Sequence, residues 1–205
     1  MVNFKVLRHA SVVLDDDIYF DPYKIDGNLK KARYIFITHP HYDHLSMDDI
    51  NKIACDKTVF IATSDSKNIL LENNIKNKII EVKPKQMYDL GDISFQTFSS
   101  YNANKPYHKK EYGWVGYNVE IEGENYMITG DCDECQEMLS QMCDYLFVPI
   151  GSIYTFDGKE GALFANKLKP KVAIPTHYNC IVGDKTNEKE FLKYLDKSIK
   201  YEIFL

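Results

Sequence analysis

Tyr34-Ile35-Phe36-Ile37 is an unbroken apolar run that stops at Thr38-His39-Pro40-His41-Tyr42-Asp43-His44. Four apolar residues without alternation read as a strand covered on both faces, which constrains the chain to a sheet flanked by helices. Two further runs have the same form. Residues 126–129 end two positions before Asp131, and residues 172–174 end three before His177. Each polar candidate thus lies just past the carboxyl end of a buried-type strand, where α/β proteins gather their sites because several loops meet there.

The remaining pattern agrees with a mixed α/β chain. Residues 4–7, Ser11–Leu14 and Ile18–Phe20 read as an opening meander with a turn at Asp15-Asp16-Asp17. Ser46, followed by Asp48 and Asp49, opens a helix to about residue 54, the acids favouring the positive end of its dipole. Val59–Ala62 is a strand, and Ser64 starts a helix ending near Asn73-Asn74. Strands are expected at 93–98, 117–121 and 126–129, with a hairpin turn at Glu122-Gly123-Glu124-Asn125. A helix over 134–142, a strand at 145–148, a helix over 159–168, the strand at 172–174 and a helix over 188–197 complete the expectation. No linker, repeat or low-complexity tract interrupts it, so residues 1–205 are expected to form a single domain.

Three of the six histidines, with one aspartate, fall within the six positions from His39 to His44. Imidazole nitrogens and a carboxylate oxygen are the donors that zinc, manganese and iron take, and two neighbouring donor groups on one loop suggest two metals. A solvated histidine-rich loop would show no such fixed spacing or strand-end placement. His177 alone would read as a structural histidine; following Ile174-Pro175-Thr176 in this chain, it becomes a ligand candidate.

Composition narrows the function classes. The net charge of −5 offers no overall attraction for nucleic-acid phosphates, and no apolar run approaches the ~18 residues needed to span a bilayer. Residues 1–8 run straight into a strand pattern without a basic start and a long apolar stretch, so no secretory leader is expected. Five cysteines, odd in number and irregularly spaced, point to reduced thiols and a cytoplasmic protein. Cys132 and Cys135 form a lone C-x-x-C with acidic flanks and no second pair to complete a zinc ribbon.

These residues resemble the metallo-β-lactamase superfamily over nearly the whole chain. The family's H-x-H-x-D-H motif is matched by His39, His41, Asp43 and His44. Its bridging-aspartate motif is matched by Thr129-Gly130-Asp131, and its last histidine by Pro175-Thr176-His177-Tyr178. Arg8-His9-Ala10-Ser11, Tyr19-Phe20-Asp21-Pro22-Tyr23, Gly113-Trp114-Val115-Gly116-Tyr117 and Pro149-Ile150-Gly151-Ser152-Ile153-Tyr154 are similar to a small single-domain branch that includes ascorbate-phosphate lactonases. The resemblance implies a four-layer αββα sandwich with a dinuclear site at one edge. His39, His41 and a third histidine would hold one metal; Asp43, His44 and His177 would hold the other; Asp131 would bridge them. The third histidine usually follows the strand equivalent to 93–98, but Ser99-Ser100-Tyr101-Asn102 stands there. His108, further along the loop, is the candidate, with Asn102 as the alternative.

The resemblance implies a metal-dependent hydrolase in which two divalent ions, Zn2+ before Mn2+ or Fe2+, activate a hydroxide. Oxygen-reducing di-iron relatives carry Glu at the position of His41, where imidazole fits zinc or manganese hydrolysis better. Asp43 or Asp131 would orient the nucleophile and accept its proton, and His9 or a metal-bound water would protonate the leaving group. Tyr154 would donate to a developing oxyanion. Asp21 is read either as orienting a ligand histidine or as a turn cap before Pro22. The substrate is expected to be a small molecule, a phosphoester or small lactone. Lys105-Pro106-Tyr107-His108-Lys109-Lys110 could attract an anionic one. The rival reading is a non-catalytic metal- or ligand-binding member of the fold.

Overall fold

The structure, a computed structural model, describes residues 2–205. The chain divides into two compact units, one running to Lys83 and taking in Phe204, the other running from Pro84 to Ile203 and taking in Leu205.

The first unit is a six-stranded sheet whose spatial order follows the chain: β1 (Phe4–Arg8), β2 (Ser11–Leu14), β3 (Ile18–Phe20), β4 (Tyr34–Ile37), β5 (Val59–Ala62) and β6 (Ile79–Glu81). β1 to β3 form the expected antiparallel meander, and β3 to β6 are parallel. Parallel neighbours need crossovers, which α1 (Met47–Ile53) and α2 (Ser64–Glu72) supply. Ile35, Ile37, Phe60 and Ala62 pack with Ile50, Ile53 and Leu70 in one core. Burying each large side chain stabilises by about 1.5–3 kcal/mol. Ser46 caps α1 by accepting the Asp49 N–H. Asp49 in turn accepts the N–H groups of Lys24 and Ile25 at 2.8 and 3.1 Å, tying the loop after β3 to the helix.

The second unit is a seven-stranded sheet. Its strands are β7 (Met87–Asp89), β8 (Ser94–Ser99), β9 (Val115–Ile121), β10 (Glu124–Ile128), β11 (Tyr145–Pro149), β12 (Val172–Thr176) and β13 (Lys200–Tyr201). Their spatial order is β13-β12-β11-β10-β9-β8-β7, antiparallel from β7 to β10 and parallel from β10 to β13. Gly116 on β9 is a packing requirement: a Cβ there would stand 2.3 Å from the Phe98 ring and 2.8 Å from the Thr129 carbonyl. α3 (Gly158–Leu168) and α4 (Lys185–Tyr194) begin with capping boxes, Asp157 with Glu160 and Asp184 with Asn187.

Three expectations are corrected, and three short strands are unexpected. The helix over 134–142 reduces to a single 3₁₀ turn, Gln136–Met138, because its polar groups bond elsewhere. Asp133 accepts the N–H groups of Ala103 and Asn104, and Cys135 Sγ donates to the Tyr101 carbonyl. The last helix starts three residues earlier than 188 because the Asp184 cap sets its first turn. β12 reaches Thr176, so His177 follows it directly. β6, β7 and β13 are short strands with no alternating or continuous apolar pattern of adequate length.

Candidate metal centre

In the first unit, the loop after β4 is organised by Asp21, which lies just past β3 and is fully buried. Asp21 Oδ1 accepts the Thr38 N–H at 2.8 Å, and Oδ2 accepts the Thr38 hydroxyl at 2.6 Å. His44 Nδ1 lies 2.8 Å from the same Oδ2. An ionised carboxylate only accepts, so His44 carries its proton on Nδ1 and leaves Nε2 bare. Thr38 has given its one proton to Asp21, so its oxygen accepts from His39 Nδ1 at 2.9 Å, and His39 Nε2 is bare as well. Asp21 therefore contacts two imidazoles, one directly and one through a hydroxyl, an arrangement in keeping with the orienting reading.

The bared atoms face partners suited to a shared cation. His39 Nε2 and His41 Nδ1 lie 3.1 Å apart. Two nitrogens on one tetrahedral zinc, each at ~2.0–2.1 Å, would be about 3.3 Å apart. Asp43 Oδ2 lies 3.9 Å from His44 Nε2 and 3.1 Å from His9 Nε2. His9 is fully buried and donates to Asp43, which brings it beside a candidate ligand rather than into a remote structural bond. His41 and Tyr42 are the exposed residues of this loop, the Tyr42 ring edge-on to that of Tyr23 at 5.9 Å.

In the second unit, Asp131 follows β10 through Gly130 at φ +67°, and His177 follows β12 at φ +57°. Asp131 Oδ2 lies 3.1 Å from His177 Nε2 and 3.5 Å from His108 Nε2, and all three side chains are buried. The structure thus brings His108 beside Asp131 in spite of its distance along the loop. Asn102, the alternative, faces His108 Nδ1 at 3.3 Å through Nδ2, which also donates to the Tyr154 carbonyl at 2.8 Å. Trp114 is buried with its ring 5.6 Å from that of His108. Tyr154 is part-exposed, its ring edge-on to Tyr107.

Four of these residues are among thirteen described non-glycine residues with left-handed backbone. His9, Asp21, His108 and His177 all have φ between +45° and +57°, a region that L-residues enter at a cost of about 1–3 kcal/mol each and that clusters at functional sites. Burial pushes the Cys132 thiol well above its ordinary range and Cys135 up to about 12. The basic cluster is largely neutralised, since Lys105 pairs with Glu160 at 3.1 Å and Lys110 with Glu137 at 2.7 Å. Thr38, Asn102 and Asp133 do the positioning. Only Thr38, wedged between an apolar strand and His39, carries a sequence cue for that role.

Residues 16–178 match the family described as the beta-lactamase superfamily domain, a span that holds every candidate ligand. A UPF0173 metal-dependent hydrolase from Natranaerobius thermophilus is 24% identical, covering 100% of this chain and 96% of its own length. The solved structure of a Parabacteroides distasonis protein superposes with a TM-score of 0.84 at 24% identity, over 99% of this chain and 92% of that one. Igni18, a metallo hydrolase from Ignicoccus hospitalis, superposes with a TM-score of 0.77 at 18% identity, over 98% and 94%. The chain belongs to the metallo-β-lactamase superfamily and has its α/β fold, built on two mixed sheets. Within that superfamily it is an enzyme of the metal-dependent hydrolase class. Among the described residues, no helix is long and apolar enough to cross a membrane.

Proposed function

We propose that the chain hydrolyses a small phosphoester or lactone in the cytoplasm, using two zinc ions. His39, His41 and His108 would hold one ion, Asp43, His44 and His177 the other, with Asp131 between them. The observation that carries this reading is that Asp21 holds Thr38 and His44 Nδ1 at 2.6 and 2.8 Å, while His39 Nε2 lies 3.1 Å from His41 Nδ1. Divalent cations held there would supply Lewis acidity and lower the pKa of a water from ~15.7 toward ~7.

The chain's own groups have separate tasks. Asp21 and Thr38 hold the imidazole protons away from the ligand atoms. Asp43, fixed by the His9 N–H, orients the attacking oxygen and accepts its proton. Asp43 would relay the proton it takes from the attacking oxygen to the leaving group, while the His9 Nε2–H keeps its carboxylate in place. Tyr154 supplies a phenol O–H to a developing oxyanion. No serine or cysteine nucleophile is required, in keeping with thiols that stay protonated.

Elemental analysis after zinc reconstitution tests the reading, alongside bis(p-nitrophenyl) phosphate and a small lactone as substrates. About two zinc ions per chain are expected, with turnover of one substrate and loss of metal in His41→Ala and His108→Ala. About one ion or fewer, with His108→Ala unchanged, would remove His108 from the ligand set. Full metal content without turnover of either substrate would favour the non-catalytic metal-binding member.

A further inference from the structure

Two exposed tyrosines stand beside His108. Tyr107 is 44% and Tyr154 37% exposed, and their rings meet edge to face with centroids 4.7 Å apart. Isolated exposed aromatics are common, but this pair is held in place. Asn102 bonds the Tyr154 carbonyl and faces His108. Lys105, two residues before Tyr107, bonds the Thr155 carbonyl and pairs with Glu160 at 3.1 Å. These bonds clamp the loop carrying Tyr107 and His108 onto the turn carrying Tyr154. Tyr107 precedes the left-handed His108, whose backbone leaves little freedom to the residues on either side. Asn102 is itself buried, and its Oδ1 accepts no hydrogen bond within the protein. The clamp holds two exposed rings against each other on segments tied to that of His108. Aromatic rings so placed favour another ring by stacking or edge contact, beyond simple area burial.

We propose that Tyr107 and Tyr154 form a substrate-binding wall selecting for a flat aryl or heteroaryl group carried next to the hydrolysed bond. The inference rests on the hydrolase reading for where the reacting bond lies, but the wall itself is defined by the second unit alone. The charge pattern agrees: Lys105 and Lys110 are paired with carboxylates, so recognition here falls to ring contact more than to ammonium attraction.

The test is binding of phenylphosphonate and methylphosphonate to the zinc-loaded full chain, followed by the fluorescence of Trp114, the single tryptophan. Wild type is expected to prefer phenylphosphonate by about tenfold, a typical gain for one aromatic contact. Tyr107→Ala should bring the preference below about twofold with methylphosphonate affinity unchanged, and Tyr107→Phe should keep it. No preference in wild type, or a preference that survives in Tyr107→Ala, overturns the wall. If neither anion binds, saturation transfer between neutral p-cresol and the chain separates the two readings. Transfer abolished by Tyr107→Ala sustains the wall while the hydrolase reading fails; absent transfer overturns the wall.

Discussion

Replacing Asp21 by Asn should cut zinc affinity about 10–100-fold while leaving the fold intact. The reasoning is atomic. The amide oxygen keeps its bond from the Thr38 N–H, which leaves an NH2 group where Oδ2 accepted from Thr38 Oγ1 at 2.6 Å and His44 Nδ1 at 2.8 Å. Two bonds to a charged acceptor, each contributing about 1.5–3 kcal/mol, are lost or inverted. The local structure recovers part of this by moving the His44 proton from Nδ1 to Nε2, so that Nδ1 accepts from the new amide. That relief places a hydrogen where the metal requires a lone pair. The net cost of about 1.5–3 kcal/mol therefore appears in metal binding, and the affinity change follows at 1.36 kcal/mol per decade. Competition against a chromophoric chelator at fixed pH measures it, with circular dichroism and a thermal melt of the metal-free protein as fold controls. Thr38→Val severs only the His39 branch and should lose about half as much free energy. Zinc affinity within about threefold of wild type in a folded Asp21→Asn protein would refute the proton assignment, and with it the argument that Asp21 prepares both ligands.

Two further outcomes follow from the second unit. Gly151→Ala would place a Cβ 2.5 Å from the His177 carbonyl oxygen and 2.7 Å from Val182 Cγ2. The backbone at His177 must shift, so a loss of about 2 kcal/mol, or roughly 4–8 °C in the melting midpoint, should accompany weaker zinc retention by elemental analysis. The Lys110 ammonium beside Glu137 holds its carboxyl at about 2 against an ordinary 4.5. Because the folded value is depressed, this stability is present above pH 4.5 and is lost as pH falls from 4.5 to about 2. Glu137→Gln should lower stability at neutral pH by about 1 kcal/mol and flatten that part of the curve in melts recorded against pH.

The ligand loops were legible because their strands are. β4, β5 and β12 are covered on both faces, and such strands announce their ends by the abrupt change from apolar to polar residues. His39 to His44 and His177 could therefore be placed before any coordinate was known. His108 was harder, since its approach to Asp131 depends on Asp133 and Asn102, whose contacts lie about thirty and fifty residues away in sequence. The segment around Gln136 reads as a helix by composition. It fails to become one because Asp133, Cys135 and Glu137 bond outward to the loop bearing His108, so long-range contacts override local preference. Asp21 lay between two readings because a carboxylate before proline serves equally well in either until its partners are known. β7 has one part-buried residue among three, too little pattern to separate a strand from a loop.

The left-handed backbone at His9, His108 and His177 bears on how loops of this kind would take up ions. Loops bent into a costly conformation by packing and hydrogen bonds need little further ordering when a cation arrives, so most of the coordination energy is available as affinity. Small zinc modules work the opposite way, since their ions are conditions of folding and leave a disordered chain behind when removed. Here the bends belong to the fold itself and are held by bonds within each unit, such as His9 to Asp43 in the first and Asn102 to the Tyr154 carbonyl in the second.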